Sequence, residues 1–262
     1  IISKNSTLRL DKFINIALFS KNGYYLNELP IGKKKDFITS PEISQIFGEI
    51  IGSYIYFYWK TKLNCKFNLI ELGPGNGTLF RDIFSAVSKK KDFLLKTELQ
   101  FIEVNRELIK VQKKLLNKIN ILKPKWKKKL NFDSKLPSII YSNEFFDCFP
   151  VRHFVFKKQW FEKFINFNDI DQRFYFKEKR VNNLKIIKIL HNYEKQKIYE
   201  ASFERNKYFY KICRLLKNNG GLCLIVDYGY TEKISNFTLQ TIRNQKFTNI
   251  FDNIGTQDIS SH

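Results

Sequence analysis

Apolar residues along this chain alternate between short unbroken runs and longer stretches spaced at three and four residues, a pattern that predicts strands and helices in alternation. Residues 67–72 form a buried-type strand and 78–87 a helix. The next strand runs over 99–105, followed by a helix over 107–117, a third strand over 129–132 and a fourth over 138–142. A helix over 199–217 and a fifth strand over 222–228 complete the series, which predicts an α/β fold around a parallel sheet. Ahead of it, 10–19 has helical spacing and leads to a turn at Asn22-Gly23-Tyr24-Tyr25. A second helix is capped by Ser40, starts at Pro41 and runs to about residue 62. Its glycines at 48 and 52 share one face and permit close approach of another backbone or a ligand. Period-two alternation over 153–156, 160–165 and 173–177 predicts short antiparallel strands between the fourth and fifth strands.

The first strand feeds directly into Gly73-Pro74-Gly75-Asn76-Gly77-Thr78. Glycines there let the chain turn at positive φ and let its N–H groups approach a ligand. A dinucleotide fold uses G-x-G-x-x-G, whereas this spacing is G-x-G-x-G, with Glu71 at the end of the strand. The glycines alone leave the cofactor open between a dinucleotide and S-adenosylmethionine, and an ordinary strand-to-helix turn is the plain structural reading. Glu103 ends the second strand, where a carboxylate can accept hydrogen bonds from two ribose hydroxyls; the alternative is an acid favoured by the helix N-terminus that follows. The fourth strand ends in Asn143-Glu144-Phe145-Phe146-Asp147. Two carboxylates and an amide among phenylalanines need a partner, and a guanidinium suits them; bracing of the next segment is the structural reading.

Composition narrows this picture. With 262 residues and 43% hydrophobic content, the chain is long enough for a substantial core. Its net charge of +21 by itself favours nucleic acid or an anionic surface. Lys, Asn, Ile and Phe are abundant throughout and Ala occurs only at 17, 86 and 201, so the charge reads as a compositional bias spread over the chain, not a specific nucleic-acid site. The four cysteines form no C-x-x-C pair and the three histidines have no ligand spacing with them, so no metal site is expected. No apolar stretch reaches membrane-spanning length.

Further motifs occur in order. They are Gly23-Tyr24-Tyr25, Asp36-Phe37-x-Thr39-Ser40-Pro41-Glu42-Ile43-Ser44-Gln45-x-Phe47-Gly48-Glu49, Glu71-Leu72-Gly73-Pro74-Gly75-x-Gly77-Thr78-Leu79 and Asn143-Glu144-Phe145-Phe146-Asp147-x-x-Pro150-Val151. Trp160-x-Glu162, Tyr199-Glu200, Gly220-Gly221-x-x-x-Ile225-x-Asp227-Tyr228-Gly229 and Gly255-x-x-Asp258-Ile259-x-x-His262 continue the series. Together they resemble the MidA-like family of class I S-adenosylmethionine methyltransferases, which includes the mitochondrial complex I assembly factor acting as a protein arginine methyltransferase. The resemblance implies a Rossmann-like sheet with an N-terminal helical cover over 1–62, a cofactor-binding core over 63–151, a β-rich insertion over 152–198 and the remaining core over 199–262. It implies S-adenosyl-L-methionine as cofactor, held by Gly73, Gly75, Gly77, Thr78 and Glu103, with Asp133 meeting the adenine amino group. Glu144 and Asp147 would grip the substrate, with Asn143 near the methyl donor. The implied substrate is a protein arginine, of a respiratory complex subunit or a similar protein.

Three departures stand against that pattern. Lys35 replaces a usual glycine and Asn76 a common basic residue. The chain stops at His262 inside a motif that the family continues, so the closing strands are expected to be missing and the fifth strand to present an open edge. A cofactor-binding assembly factor without turnover is the alternative function, and an RNA methyltransferase the third. A bacterial cytoplasm is the expected location, with the mitochondrial matrix as the alternative.

Overall fold

The computed structural model describes residues 7–27, 39–117, 119, 121–231 and 236–262. Gly32, Lys35 and the Asp36-Phe37 pair lie outside the described residues. The chain divides into two compact units, one of residues 25–145 and 207–227, the other of residues 1–24, 146–206 and 228–262. This division differs from the linear one expected from sequence. Part of the reason is that Leu8 and Arg9 pair antiparallel with Ile165 and Phe164, which ties the N-terminal segment to the insertion.

The first unit is built on five parallel strands: β1 (Phe67–Leu72), β2 (Thr97–Ile102), β3 (Lys125–Lys127), β4 (Ser138–Asn143) and β5 (Gly221–Val226). Their spatial order is β5-β4-β1-β2-β3. All six residues of β1 are buried, as a central strand covered on both faces requires. The third strand lies at Lys125–Lys127, ahead of the 129–132 expected from sequence, because half-buried Trp126 supplies the apolar contact on buried Phe101 at a centroid distance of 5.6 Å. At the other end β5 pairs with β4 alone, so among the described residues it is an edge strand with half-buried side chains.

Helices α1 (Gln45–Tyr58), α2 (Thr78–Val87), α3 (Arg106–Leu116) and α4 (Phe203–Asn219) accompany these strands. The expected single helix from Pro41 onward is broken. A short turn over Ser40–Ile43 has Thr39 at its N-terminal cap position, and Ser44 is extended at φ −146°, ψ 125° before α1 begins. Trp59, Phe67 and Phe93 pack ring against ring at 5.2 to 6.1 Å and join α1 to the sheet. Tyr199 and Glu200 lie in a strand, Ile198–Ala201, where a helix was expected; this strand pairs antiparallel with Arg152–Phe156.

The second unit holds a five-stranded antiparallel sheet, built from Leu8–Arg9, Arg152–Phe156, Trp160–Asn168, Arg173–Arg180 and Ile198–Ala201, and a three-stranded one. Phe154, Trp160, Val181, Leu190 and Ala201 form its core. Glu162 accepts two hydrogen bonds from Arg152, both at 2.6 Å and buried. Glu162 and Trp160 therefore brace this unit. Within the same unit His153 Nε2 meets Glu200 Oε2 at 2.6 Å, and burial lowers the imidazole pKa although the carboxylate opposes this.

Close contact between α1 and α2 depends on the two glycines. A Cβ at Gly52 would stand 2.8 Å from the Ile83 carbonyl oxygen and 2.9 Å from its Cα, and one at Gly48 would stand 2.5 Å from Asp82 Cβ. In an exposed helix Gly→Ala stabilises by about 1 kcal/mol. Here the neighbour is backbone, so Gly52→Ala is expected to destabilise the fold by about 1–3 kcal/mol through overpacking, measured as a lower midpoint of denaturant unfolding.

Candidate functional site

Parallel pairing brings the carboxyl ends of four strands into register. Leu72 pairs with both Ile102 and Ser142, and Asn143 pairs with Val226. The residues that follow these ends are Gly73, Glu103, Glu144 and Asp227. Ligands of open α/β sheets bind beyond these ends.

Gly73, Gly75 and Gly77 all take positive φ, at 62°, 54° and 85°. A Cβ on Gly73 would lie 2.8 Å from the Phe145 ring, so the loop can lie there only without a side chain. Gly77 occupies the N-terminal cap position of α2 in a left-handed conformation. The carbonyl of Gly75 accepts from Gln112 Nε2 at 2.7 Å, and the same amide nitrogen reaches Glu103 Oε2 at 3.3 Å. Gln112 Oε1 in turn accepts from Trp126 Nε1 at 2.7 Å. One buried amide thus fixes the glycine loop, the acid of the second strand and the third strand together. Sequence reasoning missed Gln112; the only available signal was an uncharged amide among the lysines of α3.

Beside the loop lies a small cavity lined by Thr39, Pro41, Glu42, Glu71, Gly73, Gly75, Asn76, Thr78 and Asn143, among others. Glu42 Oε1 accepts from Thr78 Oγ1 at 2.7 Å and from Asn76 Nδ2 at 3.3 Å. Asn143 donates to Glu144 Oε1 at 3.0 Å, while its own Oδ1 is buried with no hydrogen-bond donor. A buried acceptor left unmet costs free energy, and this oxygen could take a hydrogen bond from a ligand.

Carboxyl groups crowd this end of the sheet. Burial pushes the Glu71 pKa up to about 8; the hydrogen bond from Tyr141 at 3.0 Å opposes the rise and the charge of Glu103 adds to it. Burial also raises Glu103, against hydrogen bonds from the N–H groups of Asn105 and Val104. Glu144 is raised by burial and by the negative charge of Asp227, with Asn143 and the Ser40 N–H pulling the other way. It also sits at φ 50°, a left-handed conformation uncommon for glutamate. Its N–H donates to the Val226 carbonyl at 2.9 Å, which sets Glu144 beside Asp227.

The structure therefore brings together Gly73, Gly75, Gly77, Thr78, Glu103, Asn143 and Glu144 in one unit and adds Glu42, Glu71, Gln112 and Asp227. Asp147 belongs to the other unit, where its carbonyl accepts from the Ser261 N–H at 2.8 Å. Asp133 is not among the residues of the glycine-loop cavity. It lies in a turn beyond β3 and lines a separate groove with Lys211, Arg214 and Asn218. The position of the third strand accounts for this difference. β3 ends at Lys127, so Phe132 does not close a strand ahead of Asp133; it lies in the same turn, its ring 5.7 Å from that of Tyr208.

Residues 50–262 match the sequence profile of a family described as "Putative S-adenosyl-L-methionine-dependent methyltransferase". The chain belongs to this methyltransferase family. Among its relatives, the Drosophila melanogaster "Protein arginine methyltransferase NDUFAF7 homolog, mitochondrial" is 29% identical over 82% of this chain and 55% of its own length. The Mus musculus protein arginine methyltransferase NDUFAF7, mitochondrial, is 27% identical over 91% of this chain and 60% of its own. The chain thus spans a little over half the length of these relatives. A Burkholderia thailandensis protein crystallised with S-adenosyl-homocysteine shares the fold, with a TM-score of 0.82 at 18% identity over 99% of this chain and 70% of that one. Among the described residues no helix is long and apolar enough to cross a membrane, and no cluster of His, Cys, Asp and Glu could hold a metal ion.

The raised pKa of Glu71 has a definite sign. Between the ordinary carboxylate value and about 8 the folded protein keeps a proton that the unfolded chain releases, so this group makes stability fall as pH rises through that window and level off above it. Glu71→Gln is expected to match the parent near pH 4.5 and to exceed it by on the order of 3 kcal/mol at pH 8.5, measured by denaturant unfolding of both proteins at the two pH values.

Proposed function

We propose that the protein transfers the methyl group of S-adenosyl-L-methionine to an arginine side chain of a protein, with a subunit of a respiratory complex as the substrate class. The observation that carries this reading is the meeting of Glu144 and Asp227 beside Asn143 at the ends of β4 and β5. A guanidinium stays charged and presents a planar fork of N–H donors, which neighbouring carboxylates bind well. The names of the relatives as protein arginine methyltransferases support the same substrate class. Their mitochondrial designation favours the mitochondrial matrix over a bacterial cytoplasm.

The residues present fit the cofactor. The glycine loop offers backbone without Cβ atoms, Asn143 Oδ1 is an unmet acceptor, and Glu71 is a buried carboxyl that a cation would ionise. Gly73, Gly75, Gly77, Thr78 and Glu103 would hold it. When bound, the cofactor supplies a methyl group already activated by a sulfonium. The protein's task is then positioning: Glu144 orients the guanidinium, and its raised pKa suits its carboxylate oxygens to take the proton that the attacking nitrogen loses. Asp147 remains the second candidate for gripping the substrate.

Transfer of labelled methyl from S-adenosyl-L-methionine into an extract of cells lacking the gene tests this reading. Protease-sensitive label recovered as methylarginine is expected. Glu144→Gln should cut transfer by about 100-fold or more while leaving cofactor binding, measured by calorimetry, little changed. Glu103→Ala should instead weaken cofactor binding by about 10-fold or more. Bound cofactor without any label would favour an assembly factor that does not turn over, and ribonuclease-sensitive label an RNA methyltransferase. Asp147→Ala, assayed in parallel, separates a substrate carboxylate from a bracing one by whether transfer falls.

A further inference from the structure

Helix α1 has two apolar faces, and only one of them is used among the described residues. Gly48, Ile51, Gly52 and Ile55 are buried, with the two glycines set against α2. On the opposite face Ile46, Ile50, Tyr54 and Phe57 recur at four, four and three residues and are each between 46% and 64% exposed. Ser53 is exposed among them, and Ile43 continues the patch just before the helix. The close glycine contacts leave α1 no freedom to rotate and bury this stripe. Within Gln45–Tyr58 the single charged residue is Glu49, which accepts from Gln45 at 2.7 Å.

We propose that this stripe is the contact by which two copies of the chain form a dimer, with the two α1 helices packed antiparallel about a two-fold axis near Ser53. Two observations favour a second copy over other occupants. The first is reciprocity: in an antiparallel pair crossing there, Ile50 meets Tyr54 of the other copy, Ile46 meets Phe57, and each contact occurs twice, as an isologous interface requires. The small Ser53 at the crossing lets the helices approach closely. The second is charge. A chain of net charge +21 repels its own copy, so self-association needs a charge-poor face, and this face carries no lysine or arginine between Gln45 and Tyr58. A partner chosen by charge would meet the lysines elsewhere. The exposed side chains amount to on the order of 600 Å² per copy, at the upper end of what a monomer leaves in water and close to what each member of a small dimer buries.

Light scattering after size exclusion, across a range of protein concentrations, tests the proposal on the whole chain. The parent protein is expected to be a dimer at micromolar concentration. Ile50→Asp and, separately, Ile46→Asp should raise the dimer dissociation constant by about 100-fold or more, because each would bury a carboxylate in an apolar contact. Unchanged circular dichroism and unfolding midpoint would show that the variants fold. Ser53→Cys should form an intermolecular disulfide on mild oxidation, beyond any seen in the parent with its exposed Cys65 and Cys213, whereas Val111→Cys, exposed on α3, should not. A parent that stays monomeric throughout, a dimer that survives both aspartates, or a monomer that floats with phosphatidylserine vesicles would each overturn the proposal, the last in favour of a membrane surface.

Discussion

The backbone at Gly73 can lie where it does only because it carries no side chain, and much of the site follows from that. Strand β1 ends directly beneath the Phe145 ring, and the chain must leave the sheet through left-handed conformations before α2 can start. Such a loop exposes carbonyls and N–H groups that the strand ladder no longer pairs. Gln112 takes up one of them at Gly75 and extends the same network to Glu103 and Trp126. The Gly73 N–H donates to the Ile102 carbonyl at 3.0 Å and Glu42 accepts from Thr78 and Asn76, so the loop is fixed from several segments at once.

What was legible in the sequence was what the local pattern alone determines. β1 and α2 lie where the apolar run and the following periodicity put them, since a central strand is buried on both faces and the glycines mark its end. The third strand was misplaced because β3 is only three residues long and its alternation is interrupted by lysines, so that Trp126 alone carries the signal. Tyr199 and Glu200 read as the start of a helix, yet pairing with His153 and Phe154 draws them into a strand, a tertiary demand that local propensity does not carry.

The site shows the same split. Glycines and strand-end acids were visible because the topology delivers residues after a strand to one end of the sheet. Gln112 and the Glu42 contact to Thr78 were not, because each joins segments distant in the chain. Glu144 and Asp227 follow adjacent strands that are far apart in sequence order and meet only through the parallel pairing of β4 with β5.

Electrostatics gives the site a preference that its shape alone does not. In a chain of net charge +21, Glu71, Glu103 and Glu144 stand at the carboxyl ends of three neighbouring strands, each raised in pKa chiefly by burial. Loss of solvation is the main cost of charging each of them, and the charge of a neighbouring carboxylate adds to it at Glu71 and Glu144. A cation placed beside any of them would lower that cost, whereas an anion would raise it. The burial that makes Glu71 destabilising above neutral pH is therefore also a feature that favours a positively charged occupant over an anion. A sulfonium is such a cation, whereas a nucleic-acid phosphate, which the overall charge of the chain would otherwise attract, is an anion that the same carboxyls disfavour.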